Sequence, residues 1–160
     1  MDEVRGKIRS SCLVAGVALL AIALLLGIGT ASRIAGWWTD GSTLADADFV
    51  RRGVGLLSEA LLIALAVYIA FVFERIAREE TPFFPELPRM IKAAAAFLFL
   101  ALAAPKWLGN AILSFQEGTL VGALIDEGVI FAFVLAAVVF CLGRIFEYGC
   151  LVQDENFEII

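Results

Sequence analysis

The chain predicts an all-α polytopic membrane protein, an antiparallel four-helix transmembrane bundle with both termini cytoplasmic. Three observations carry that expectation. Of its 160 residues, 61% are apolar, where a soluble domain has roughly half. Four stretches are nearly free of charge, and each approaches the roughly 20 apolar residues that a helix needs to cross a bilayer core of about 30 Å. The basic residues then fall mostly on one side of those stretches, as expected where they are held in the cytoplasm.

The first stretch, between Arg9 and Arg33, has 23 uncharged residues. Basic residues precede it and "GTA" follows, as in a secretory signal, but it is longer than a signal core and reads as a retained span. From Gly53 to Phe73 only Glu59 is charged, and from Ala93 to Gln116 only Lys106. The last stretch, Gly128–Gly143, has 16 residues; Arg144 can snorkel at its end, so the helix continues through "IFEYG". The expected layout is one domain with spans at 10–33, 53–74, 90–114 and 128–149. Outer loops fall at 34–52 and 115–127, an inner loop at 75–89 and a cytoplasmic tail at 150–160.

With the amino terminus inside, the inner segments hold Arg5, Lys7, Arg9, Arg75, Arg78, Arg89, Lys92 and Arg144. The outer loops hold Arg33, Arg51 and Arg52. In the outer loop, Asp40, Asp46 and Asp48 lack the spacing and closing glutamate of a calcium loop. The inner loop carries Pro82, Pro85 and Pro88, a spacing that predicts a stiff hairpin with a helix beginning at Pro85. Its sharper reading is a docking surface exposing Phe83 and Phe84.

Two ionisable residues stand inside spans, where each costs about 2.5 to 3.5 kcal/mol without a partner. Glu59 and Lys106 lie at matching depth on adjacent spans, so the expected arrangement is a buried ion pair with Asn110 one turn beyond the lysine. Pro105 frees the carbonyl of Ala101 beside it. The functional alternative is a polar cavity open to the outside. In the fourth span Gly128, Ala132 and Ala136 form a small-residue stripe, expected to seat another helix of the same chain, with a homodimer seam as the rival.

Catalysis finds no support. Histidine is absent, which removes histidine-ligated haem and the commonest zinc sites, and neither metal nor cofactor is expected. A nucleophile elbow, a phosphate-binding glycine loop and paired acids are all missing from the sequence. The net charge of −5 with dispersed arginines excludes a nucleic-acid surface. Cys12, Cys141 and Cys150 lie toward the cytoplasmic side in this orientation and are expected as free thiols.

The chain closes on "RIFEYGCLVQDENFEII". Phe146 and Tyr148 fit an interfacial aromatic girdle, Gly149 can end or bend the helix, and Phe157 and Ile159 are placed to add a strand or an apolar hook to a partner, with a frayed terminus as the equal alternative. This ending, and the segment "ETPFFPELPRMIKAAAAF", resemble motifs of the bacterial domain-of-unknown-function 2975 membrane family, which also has four spans. The chain departs from that pattern at Glu80, Phe84 and Leu87. The resemblance implies a bacterial inner-membrane protein that binds a small cytosolic helix-turn-helix regulator, with Phe83, Phe84, Tyr148, Gln153, Phe157 and Ile159 as candidate docking residues. Two further expectations stand beside it. One is a small oligomeric transporter or proton-binding protein built on Glu59 and Lys106. The other is a structural membrane protein without a specific ligand, in contact with the bilayer alone.

Overall fold

The computed structural model describes residues 2–37, 47–79, 84–118 and 126–158, with side chains described over 6–37, 48–79, 84–118 and 126–152. The described residues form four helices: α1 (Asp2–Trp37), α2 (Ala47–Glu79), α3 (Leu87–Glu117) and α4 (Glu127–Glu158). No strand occurs among them. Each helix contains a segment long and apolar enough to cross a membrane: Gly6–Trp37, Asp48–Glu79, Leu87–Glu117 and Glu127–Val152. Lipid offers no hydrogen bonds, so a helix that satisfies its own backbone is the form such segments must take.

Every helix outruns the span expected for it. The charges at Arg33, Arg75 and Arg144 bound the oily part of each segment, not its hydrogen-bonded part, because a helix in water or headgroups costs little to extend. The largest difference is at the carboxy terminus, where α4 runs through Gly149 to Glu158. A glycine inside a helix costs only about 1 kcal/mol relative to alanine, which the neighbouring turns offset.

The helices pack in chain order: α1 on α2, α2 on α3 and α3 on α4. Among the described residues the first and last do not touch, so the expected bundle is open along one side. Across α1 and α2, Gly16 lies against the carbonyl of Ala70 while Trp37 packs on Phe49 with ring centroids 4.5 Å apart and planes tilted by 40°. Gly16, Ala23 and Thr30 are the buried positions of α1, one every seven residues. Seven-residue spacing keeps small residues on one helical face and lets α2 approach closely.

Between α2 and α3, Val54 packs into the gap left by Gly109. At the other end the Tyr68 hydroxyl donates to the carbonyl of Met90 at 3.2 Å. Between α3 and α4, Ala132 and Ala136 are buried and Phe99 meets Phe133 edge to face at 6.3 Å. The small-residue stripe of α4 is therefore a seam within the chain.

The turn into α3 is built from Phe84, Pro85 and Glu86. Leu87 N–H donates to the Phe84 carbonyl and Met90 N–H to that of Glu86, both at 3.0 Å. The helix starts at Leu87, two residues later than Pro85, with Glu86 at its N-cap and a proline in the first turn. A proline there forfeits no hydrogen bond. Gly118 ends α3 in the left-handed region, φ 65°, a conformation open to glycine at no steric cost.

Candidate functional site

Glu59 and Lys106 do not pair, and the expected ion pair is corrected to two separate ones. Glu59 binds α1: its Oε1 accepts from the Arg33 guanidinium and its Oε2 from the Thr30 hydroxyl at 2.9 Å. Lys106 binds the start of α4, its Nζ donating to Asp126 Oδ2 at 2.9 Å. Depth along the helix is one coordinate of two, and rotation about the axis is the other. Five residues separate Glu59 from Val54, which faces α3, and at 100° per residue that turns Glu59 about 140° away toward α1. Lys106 lies two turns beyond Phe99, on the face that meets α4.

Asp126 does two jobs at one helix end. Its Oδ1 accepts from the backbone N–H of Val129 at 2.8 Å, an N-cap bond of the usual kind, while its other oxygen holds Lys106. The Lys106 hydrogen bond, then the Val129 N–H, hold the Asp126 carboxyl below its ordinary value. Because the folded value is the lower one, the stabilisation is present above the unfolded carboxylate value and is lost as pH falls through the folded value. We therefore expect acid unfolding of the wild type to steepen below about pH 4. Asp126→Asn is expected to flatten that limb, read by circular dichroism in detergent; an identical acid limb in the variant refutes it.

Gly128 belongs to this site as well. A Cβ there would run into Lys106 Nζ, so its bare backbone lets the lysine reach Asp126. Asn110 sits one turn past Lys106, and its carbonyl accepts the Ser114 hydroxyl at 2.7 Å.

The opposite end of α3 and α4 carries a third constellation that sequence spacing did not flag. Glu147 Oε2 accepts from Lys92 Nζ at 2.7 Å and from Arg144 at 2.9 Å. Cys150 Sγ lies 3.7 Å from the Phe84 carbonyl. Gly143 lets α4 close on this seam, since a Cβ there would stand 3.0 Å from Lys92 and 3.3 Å from the Pro88 carbonyl. Lys92 and Glu147 are 55 positions apart, a separation at which nothing in local spacing identifies a partner.

The candidate docking residues divide. Phe84 is 4% exposed and forms a core cluster with Val72 and Leu87, packed by Tyr68, Ile76, Met90, Ile91 and Phe146. It is a packing residue, and its place in a docking surface is withdrawn. Tyr148 is 70% exposed. Gln153 and Phe157 lie in the last turns of α4, as helix and not as an added strand. Phe83 and Ile159 lie outside the described residues. A largely apolar groove of about 390 Å³ runs between α1 and α2 along Gly16, Val17, Val67 and Ala70; neither Glu59 nor Lys106 lines it. No family model matches the chain, and neither curated proteins nor solved structures give a match.

Two independent pairs make a quantitative expectation. In a double-mutant cycle on thermal stability, Glu59→Gln and Lys106→Met should be additive within about 0.5 kcal/mol, as for sites with no shared partner. A coupling well above that sends the two charges back to one another.

Proposed function

We propose that this is a non-catalytic protein of the bacterial inner membrane, its four helices antiparallel and both termini cytoplasmic, that serves as the membrane partner of a small cytosolic helix-turn-helix regulator. The observation that carries the reading is the end of α4. It remains one helix through Gly149, where the expected span ends, and on to Glu158. Lys92 and the Phe84 carbonyl anchor its root through Glu147 and Cys150.

A helix already formed loses little entropy on binding, and an amphipathic helix laid in a groove is a common recognition mode. Asp154, Glu155 and Glu158 give the extension an acidic character, complementary to the basic surface of a DNA-binding protein. The count of basic residues on the two sides supports the orientation. Glu59 and Lys106 each meet a neighbour of opposite charge, Arg33 and Asp126, which favours a structural role for them over transport.

The test is purification of the tagged protein in mild detergent with identification of what accompanies it. Recovery of a small DNA-binding protein, lost on removing residues 151–160, is the expected result. Equal recovery with and without those residues refutes the docking role of α4.

A further inference from the structure

The Lys92–Glu147–Arg144 constellation carries more positive charge than its own bonds use. Lys92 and Arg144 converge on a single carboxylate oxygen, and the Arg144 side chain is still 65% exposed. Arg89, exposed, makes no ion pair among the described residues. At 100° per residue Arg89 lies on the flank of α3 that bears Lys92, and Arg144 on the flank of α4 that bears Glu147. The Lys92–Glu147 bond joins those flanks, so Arg89 and Arg144 bracket it. Exposed Glu86 stands three residues before Arg89 without pairing with it, and even with this acid counted the positive charge is in excess. The acids of the α4 extension begin at Asp154, ten residues or about 15 Å beyond Arg144, outside a Debye length of about 8 Å.

On the membrane side of these cations, over residues 93–100 of α3 and 133–142 of α4, the exposed side chains are apolar. Ala93 and Ala96 of α3 and Ala137 of α4 are among them, as are the larger Leu100 and Phe140. Lys92 Nζ stands 5.8 Å over the Phe140 ring. A cluster of cations beside an exposed apolar surface, at the level where two membrane-length helices leave their oily segments, matches an amphiphile with an anionic head.

We propose that Arg89, Lys92 and Arg144 bind the phosphate of an anionic phospholipid whose acyl chain lies along the exposed alanines of α3 and α4. The site rests on the membrane-spanning character of α3 and α4 and not on the cytosolic partner, so either can fail alone. The phosphate completes the coordination that one carboxylate leaves open, and the lipid thereby clamps the α3–α4 seam.

Native mass spectrometry of the full-length protein in neutral detergent tests this with phosphatidylglycerol against phosphatidylcholine. Phosphatidylglycerol should be retained preferentially. R89Q/R144Q should weaken it about 30-fold, and R89Q alone about fivefold, at roughly 1 kcal/mol per basic residue. The single variant removes no ion pair of the fold and keeps the test readable if the double variant unfolds. R89K/R144K should retain the preference, as should R51Q/R52Q at the opposite membrane face. Equal binding of the two lipids, or an equal loss in R51Q/R52Q, overturns the proposal. Displacement of the lipid by millimolar inorganic phosphate assigns the site to free phosphate, and displacement by polyglutamate assigns it to an acidic peptide; each overturns the lipid assignment.

Discussion

Phe84→Ala should lower the stability of the detergent-solubilised protein by about 3 to 5 kcal/mol, the range for removing a buried aromatic side chain from a packed core. Phe84 and Leu87 are nearly inaccessible, at 4% and 0%, and with Val72 they join α2 to the start of α3. The cavity has little means of collapsing, because Leu87 is fixed by its N–H bond to the Phe84 carbonyl and Tyr68 by its bond to Met90. The same carbonyl receives Cys150, so disorder at Phe84 should spread to the root of the α4 extension. The measurement is a melting curve followed by tryptophan fluorescence or by size-exclusion chromatography after heating. An unchanged midpoint combined with loss of a bound partner would restore the exposed docking role, since a surface residue contributes to binding and hardly to stability.

Gly109→Leu is expected to separate α2 from α3 and cost about 1 to 3 kcal/mol, the usual range for overpacking. A Cβ at this position already comes within 2.9 Å of Val54 Cγ2 and 3.4 Å of Cγ1. Valine in a helix has essentially one χ1 rotamer, so Val54 cannot swing aside. Gly109→Ala separates packing from backbone effects. It adds only the Cβ and gains about 1 kcal/mol of helix propensity, so its stability should fall close to wild type while leucine's falls well below. Because, among the described residues, α2 and α3 form the only contact between the α1–α2 and α3–α4 pairs, the leucine variant should also show the two pairs protected separately in hydrogen exchange. Leucine and alanine variants of equal stability would show that the two helices are not in register here.

The sites legible in the sequence were those marked by one residue against an oily background. Glu59 and Lys106 are conspicuous for that reason, and their depth follows from counting. Their partners are not conspicuous. Arg33 and Asp126 stand at span boundaries, where charges are ordinary, and Glu147 reads as the polar end of a span. One overlooked signal was within reach: Gly16, Ala23 and Thr30 at seven-residue intervals mark the face of α1 that meets α2, and Arg33 is one turn from Thr30. Phe84 was misread because three prolines at three-residue spacing suggest an extended, solvent-facing segment. The fold instead uses Pro85 in a tight turn that returns Phe84 to the core.

The sequence by itself determined four apolar helices and the absence of any strand-based alternative, because hydrocarbon satisfies no backbone hydrogen bond and only intra-helical bonding meets the need. It also set the position of each charge along its helix, since that advances by a fixed rise per residue. Only the tertiary structure decided which charge meets which. That choice depends on the rotation of each helix about its axis and on neighbour order, and both are set by where glycine and alanine permit close approach: Gly16 against Ala70, Gly109 against Val54, Gly143 against Pro88. Those contacts turn Glu59 toward α1 and Lys106 toward α4, and they draw Arg144 and Lys92 onto one carboxylate.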